Sequence, residues 1–248
     1  MIMATSTSDF INKLTELKKD FKVFIPSTKK ETTAKQITLK QQKDIISTAI
    51  NGVLGALQFT KSINDVINEN IKGDDFYTFD RVPALLALRV QSLGDKIKAE
   101  NNEIVSLKPA LEKAKKVPSF KYTKTVSIDN IKVDLRIPTL REENVIVKRC
   151  IQEIDNLKSE DLSEAMGLIY IFELLKTIKS ITIEEETVEF DDLKVTDRVK
   201  IIEQLPLELY EDITSFLDQL VKYETGLLTI DDTTITIDAS LFDATTTT

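Results

Sequence analysis

Histidine and tryptophan are absent from this sequence of 248 residues, and Cys150 is its single cysteine. Hydrolases that pair a serine or cysteine nucleophile with an imidazole base are therefore excluded. Zinc sites take most of their ligands from histidine and cysteine, so structural and catalytic zinc are nearly excluded as well. We interpret Cys150, which lies in the apolar run 145–151, as a small buried side chain rather than a reactive thiol. Enzyme chemistry would have to rely on carboxylates or lysines.

A basic excess and long apolar runs are also missing. The chain has 33 lysines and arginines against 41 acidic residues, a formal net charge of −8. Nucleic-acid binding needs cations that neutralise phosphates, so we expect no nucleic-acid partner. No segment approaches the roughly 20 apolar residues that cross a bilayer, and the first residues do not resemble a secretory signal. We therefore expect no membrane partner and assembly in a reducing cytoplasm.

The apolar residues that are present change spacing along the chain, and this predicts an α+β fold, mainly helical with several local antiparallel β-hairpins. Period-two patterns predict hairpins at 21–37, 120–138, 181–190 and 227–238. Helical spacing predicts a first helix from Ser8 through Phe10, Ile11, Leu14 and Leu17, and a long helix that is entered through Thr38 and ends near Leu57. It also predicts a helix at 62–71, a helix capped by Asp80 and closed by Gly94, and a weak exposed helix within 96–116. Later helices are predicted to begin at Thr139, Leu162, Thr196 and Pro206. Thr245–Thr248 reads as a polar tail.

The predicted organisation has three parts. Residues 1–100 form an N-terminal hairpin with a helical region, 101–119 a charged linker or exposed helix, and 120–248 a hairpin, helices and a C-terminal hairpin. The charged stretch 96–116 is the best candidate for a mobile boundary between the two larger parts.

Acidic residues occur in adjacent groups, at Asp74–Asp75, Glu142–Glu143, 184–186, Asp191–Asp192 and Asp231–Asp232. Two carboxylates held across a cleft could support a carboxylate-dependent hydrolase, which is a remote alternative for this chain. Each group falls at a predicted turn or helix end, where carboxylates cap helices and stay hydrated. We expect no metal, no cofactor and no catalytic residue among them.

Residues 24–30 together with 37–46, and residues 85–97, are the two parts of the sequence that resemble the baseplate hub subunits of T-even-like contractile-tailed bacteriophages. Residues 24–30 read as a strand that ends in a Pro-Ser-Thr turn, and 37–46 read as the entry to the following helix. Residues 85–97 are similar to the family's Leu-Arg-Ala-Lys-Ser-Val-Gly-Glu pattern, at the expected distance. The clear resemblance covers about residues 21–100, and beyond it the order of elements is similar.

The resemblance implies a non-enzymatic structural component of the tail baseplate, at or near the hub, that contacts other baseplate or tail proteins in the virion. A transient assembly chaperone for the hub is the alternative. In either role the candidate residues serve as interface or turn residues. They are Pro26, Ser27, Thr28, Lys29 and Lys30 in the first turn, and Arg89, Ser92 and Gly94 at the end of the helix that Asp80 is predicted to cap. A role in turns and helix caps within one subunit and a role in contacting a partner are given equal weight.

Overall fold

A computed structural model describes residues 19–48, 52–99, 101–156 and 162–242, together with Thr7, Ser8, Ile11 and Leu14. Ser8, Ile11 and Leu14 are helical, as the first predicted helix requires, whereas its other positions lie outside the described residues. The predicted polar tail, Thr245–Thr248, also lies outside them.

The fold is α+β and mainly helical, as predicted. The described residues form eight α-helices: α1 Leu39–Thr48, α2 Gly52–Asn70, α3 Arg81–Leu93, α4 Lys108–Ala114, α5 Leu140–Asn156, α6 Leu162–Thr177, α7 Val195–Ile202 and α8 Leu207–Leu228. The strands are β1 Asp20–Ile25, β2 Lys30–Lys35, β3 Lys96–Lys98, β4 Ile104–Ser106, β5 Thr123–Ile128, β6 Ile131–Arg136, β7 Ile178–Ile183, β8 Glu186–Glu189, β9 Thr229–Ile230 and β10 Thr233–Thr234. Short 3-10 helices cover Thr78–Asp80, Phe190–Asp192 and Ala239–Phe242.

The predicted hairpins are confirmed. In three of them, the tight turn that connects the two strands contains a residue in the left-handed conformation. β1 pairs with β2, β5 with β6 and β7 with β8, all antiparallel. Lys29, Asp129 and Glu184 have φ angles of 53°, 51° and 58° in the connecting turns. The last hairpin is shorter than predicted, because Leu227 and Leu228 belong to α8 and the strands pair over two residues each.

One larger sheet was not expected from the local pattern. β6 also pairs with β7, which gives a four-stranded antiparallel sheet of order β5-β6-β7-β8. Val133 lies opposite Ile181 in this pairing, and the register shifts between Asp134 and Leu135. The chain between the two strands forms α5 and α6, so the pairing depends on how those helices pack rather than on adjacent residues.

Two helix starts follow the predicted capping chemistry. The Thr38 hydroxyl accepts a 3.1 Å hydrogen bond from the Gln41 amide, and the Gln41 side chain accepts 2.8 Å from the Thr38 amide. Thr139 and Glu142 form the same reciprocal pair at the start of α5. Both are capping boxes, which satisfy amides that have no partner inside the helix.

One helix prediction is wrong, and another holds for only part of its segment. α2 runs without interruption through Ser62, where a new helix was predicted, because polar Thr60, Lys61 and Ser62 fit its half-buried side. The helix predicted within 96–116 is found over Lys108–Ala114, whereas the first part of that segment forms the β3–β4 hairpin. The shorter α4 then buries Ala110 and Ala114, and its N-cap residue Leu107 is also buried.

A single hydrophobic cluster unites the described elements. It includes residues from each of the three predicted parts of the chain, for example Leu88, Ala110 and Leu227. The division at 101–119 stays a prediction. Cys150 is completely buried in this core, as expected, and burial raises the pKa of its thiol to about 12. No described helix has the length and apolar character that a membrane-spanning helix needs.

Candidate interaction surface

The first predicted turn, 26–30, is partly buried and partly exposed. Pro26 is buried, and the Ser27 amide donates a 2.8 Å hydrogen bond to Oδ1 of Asp80. The Thr28 hydroxyl donates to the Ile25 carbonyl, and the Lys29 amide donates to that of Pro26. Thr28, Lys29 and Lys30 are exposed. The turn therefore offers these three residues to a neighbour, whereas its first two residues are held within the subunit.

Asp80 does not cap α3 as predicted. Its carboxylate makes no capping hydrogen bond to that helix, and its second oxygen accepts 2.9 Å from the Tyr77 amide instead. Burial raises the pKa of Asp80, and the hydrogen bonds from Ser27 and Tyr77 oppose that rise. The carboxylate thus joins the first hairpin to the 3-10 turn that precedes α3.

The second predicted group lies at the other end of α3. Arg89 is fully buried and donates hydrogen bonds to the carbonyls of Leu241, Gly94 and Lys96. The Ser92 hydroxyl accepts 3.1 Å from the Ile37 amide, just after β2. Gly94 ends the helix with a φ of 94°. These contacts are internal, and Asp80 and Ser92 are separated by about 18 Å of helix at 1.5 Å per residue.

The adjacent acidic residues mostly pair with arginines or stay exposed. Asp191 accepts two 2.6 Å hydrogen bonds from the Arg136 guanidinium, which hold the pKa of Asp191 below its usual range. Asp75 pairs with Arg141, and Asp74 and Asp192 are exposed. No cluster of potential metal ligands occurs among the described residues.

Sequence reasoning missed a buried ionic cluster around Glu143. This carboxylate is 1% exposed and accepts hydrogen bonds from Arg81, Lys176 and Asn64. The two cations lower the pKa of Glu143 to about 2, against the opposing effect of burial. A signal was available: Glu143 lies at helical spacing on the same face as Ile146, Cys150 and other buried residues of α5.

A cavity of about 170 Å³ opens beside this cluster, between the C-terminal halves of α6 and α8. Glu224 from α8 lines it with Arg81 and Lys176, and its side chain makes no hydrogen bond or ion pair with the part of the chain that the structure describes. Burial raises the pKa of Glu224, and Arg81 opposes that effect. Val221, 59% exposed, forms part of the rim.

A second cavity, of about 310 Å³, lies between the middle of α6 and the first turns of α8, and the end of α7 with the 203–206 turn forms another wall. Its walls are mostly apolar, with the Tyr170 and Tyr210 rings 4.9 Å apart and tilted by 38°. Tyr170 is 43% exposed and Leu207 76% exposed. The exposed carboxylate of Glu203 also lines it.

The cavity lined by earlier residues of α6 is also lined by earlier residues of α8, and the cavity lined by later residues of α6 by later residues of α8. The two helices therefore run in the same direction along one groove. We call this surface the α6–α8 groove, with an apolar end and a charged end. The apolar end is lined by Tyr170, Leu174, Leu207, Tyr210 and Ile213, and the charged end by Lys176, Leu217, Val221 and Glu224. Exposed apolar side chains gathered in a groove are typical of a protein-binding surface.

Comparison with known proteins identifies the family. The profile of the family described as T4 bacteriophage base plate protein matches residues 18–228. No match is found among curated proteins or among solved structures. The matched region contains β1 to α8 and the whole α6–α8 groove, and it covers most of the 248 residues. The chain therefore belongs to the T4 bacteriophage base plate protein family and is a structural component of a phage tail baseplate.

Proposed function

We propose that the chain is a hub or hub-proximal subunit of a contractile-tail baseplate and acts without enzymatic activity, through contacts with other tail proteins. The α6–α8 groove carries this proposal. Leu207 and Val221 are large apolar side chains that remain more than half exposed at opposite ends of one groove. Covering such a surface contributes about 25 cal/mol for each Å² of apolar area removed from water, before the entropic costs of association are subtracted.

The hub position rests on the resemblance at 24–30, 37–46 and 85–97. In the folded chain these segments belong to one unit, because Ser27 is bonded to Asp80 before α3 and Ile37 to Ser92 within it. A subunit built this way presents a rigid edge at Thr28, Lys29 and Lys30. We expect partners among baseplate or tail proteins, and neither nucleic acid nor a membrane. Assembly takes place in the host cytoplasm.

Quantitative mass spectrometry tests the proposal. Gradient-purified phage particles and infected-cell lysate are compared, and this chain is counted relative to known tail proteins. We expect a few stoichiometric copies in each particle, and electron microscopy then shows whether they lie at the hub. A location elsewhere in the baseplate would contradict the hub assignment.

The alternative is a transient assembly chaperone for the hub. An open groove also suits a chaperone, since it can cover a partner's apolar surface until assembly is complete. Abundance in lysate with absence from particles would establish this alternative. The hydrolase alternative is not favoured, because Asp75 and Asp191 each form an ion pair with an arginine and are occupied by it. Activity in a hydrolase screen that disappears on changing Asp74, Asp75, Asp191 and Asp192 to asparagine would revive it.

A further inference from the structure

We propose that the α6–α8 groove binds an amphipathic, basic α-helix from another tail protein. This inference deepens the proposed function, and it rests on that function in taking the partner to be a tail protein. The apolar end of the groove specifies an aliphatic or aromatic anchor on the partner, and the charged end specifies a lysine or arginine.

The apolar end can accept a large side chain. Its cavity of about 310 Å³ is walled by Ile171, Leu174 and Ile213, and the two tyrosine rings form one side. Binding hot spots are commonly large side chains that enter such a pocket and lose their water completely. Leu207, at 76% exposure, stands at the rim where a second apolar residue of the partner would cover it.

Charge at the groove favours a basic partner. The two cations of the charged end, Arg81 and Lys176, already bind Glu143. Glu224 lines the same cavity, and its carboxylate has no hydrogen-bond partner among the described residues. Glu203, at the apolar end, likewise forms no ion pair within the described chain. A cationic partner would therefore find two available carboxylates, whereas an acidic partner would meet repulsion.

The spacing of the two cavities predicts the spacing of the partner's residues. Their linings are offset by about six residues along α6, from Tyr170 to Lys176, and by about eleven along α8, from Tyr210 to Val221, which corresponds to about 9–17 Å at 1.5 Å per residue. A helix lying along the groove covers that distance in roughly two to three turns. The partner should therefore carry its anchor at one position and its lysine or arginine about six to eleven residues away.

A helix fits this groove better than an extended segment. The walls are side chains of α6 and α8, joined at the apolar end by Ile202 of α7 and the 203–206 turn, and no described strand lines either cavity, so the groove offers no strand edge. An extended peptide would bury amides and carbonyls without partners, whereas a helix satisfies its own. Two parallel helices with an open groove thus favour the helix-in-groove mode of recognition.

Photo-cross-linking in the full-length chain tests the inference. A photoreactive amino acid replaces Leu207 or Val221, and Leu39 on α1, 82% exposed, serves as the control position. Cross-linked peptides are sequenced from phage particles and from infected-cell lysate. We expect both groove positions to cross-link to one basic helical segment of another tail protein, whose apolar anchor and cation have the predicted spacing. Position 39 should not cross-link to that segment.

The cross-linked segment is then made as a synthetic peptide, and its binding is measured by fluorescence anisotropy. We expect Glu224→Gln to weaken binding by about tenfold. Glu211→Gln, an exposed glutamate of α8 outside the groove linings, should leave binding unchanged. Reversing the peptide's cation to glutamate should weaken binding to the wild type, and Glu224→Lys should restore it.

The outcomes separate this inference from the proposed function. Cross-links from the groove to a second copy of this chain, to its own N-terminal segment or to an acidic or extended segment would overturn the inference, as would no cross-link from particles that contain the chain. The subunit proposal would survive those results. If the chain is absent from particles but its groove reaches a basic helix in lysate, the inference holds and the mature-subunit proposal fails.

Discussion

The backbone amide of Ser27 donates a 2.8 Å hydrogen bond to the side chain of Asp80, which follows it by 53 positions. The other carboxylate oxygen accepts from the Tyr77 amide. One fully buried carboxylate thus holds the first hairpin turn against the entry to α3. Because the exposed residues Thr28, Lys29 and Lys30 follow this contact directly, Asp80 also fixes the position of the edge they present.

We predict that Asp80→Ala lowers the free energy of unfolding by about 1–3 kcal/mol, because it leaves the Ser27 and Tyr77 amides without acceptors. Urea denaturation measures the change. Asp74→Ala is the control, since Asp74 is exposed, and it should stay within about 0.5 kcal/mol of the wild type. Equal effects of the two substitutions would show that the buried contact does not stabilise the turn.

Glu143 predicts a specific loss of stability in acid. Its pKa is about 2 in the folded chain against an ordinary value of 4.5, so its contribution is fully present above pH 4.5 and is lost as the pH falls toward 2. Arg81 and Lys176 remain charged throughout, and protonation of Glu143 leaves both without their shared partner.

The measurement is urea denaturation from pH 2 to pH 7. Glu143→Gln should be destabilised by about 3–5 kcal/mol at neutral pH, because it removes the carboxylate that pairs with Arg81 and leaves Lys176 with Glu173 as its remaining partner. Its stability should also fall less than that of the wild type between pH 4.5 and 2. Glu185→Gln, at an exposed turn, should follow the wild-type curve. Parallel curves for the wild type and Glu143→Gln would refute the assignment.

Local chemistry could be predicted from the sequence because its partners are adjacent. Thr38 and Thr139 each precede a glutamine or glutamate three positions later, and both capping boxes are found. The turn at Asp129 likewise lies between two alternating apolar runs and adopts the positive φ that a tight hairpin requires. Such features depend on a few consecutive residues, so one sequence is sufficient to identify them.

Distant contacts could not be predicted in the same way. The pairing of Val133 with Ile181 depends on the path of α5 and α6. The hydrogen bond from the Ser27 amide to Asp80 depends on where the first hairpin packs against the rest of the chain. Both halves of the α6–α8 groove are individually visible as apolar helices. That they lie side by side with space between them follows from tertiary packing, which hydrophobic periodicity does not specify.

Two glycines should respond in opposite directions to alanine. Gly94 has a φ of 94°, where a side chain is strained, so Gly94→Ala should lower the free energy of unfolding by about 1–3 kcal/mol. Gly226 lies in α8, and a methyl group there would meet no atom within 4 Å. Gly226→Ala should raise stability by about 0.5–1 kcal/mol, since alanine favours the helix. Thermal unfolding of both variants tests the pair, and shifts of equal sign would contradict it.

We predict that Arg89 stabilises the attachment of the C-terminal 3-10 helix, Ala239–Phe242, to the rest of the fold. Its guanidinium spans the carbonyls of Leu241, Gly94 and Lys96, and the single ammonium of Arg89→Lys cannot reach all three. We expect a loss of about 1.5–3 kcal/mol, with hydrogen exchange accelerated at Ala239–Phe242.

The matched control is Arg141→Lys, since Arg141 is an exposed arginine that pairs with Asp75. It should leave exchange at Ala239–Phe242 unchanged. Hydrogen exchange followed by mass spectrometry separates a local release from general unfolding, because amides of β5 and β6 should keep their wild-type rates in both variants. Unchanged exchange at Ala239–Phe242 in Arg89→Lys would mean that the Gln42 side chain, which donates to the Phe242 carbonyl, holds the segment by itself.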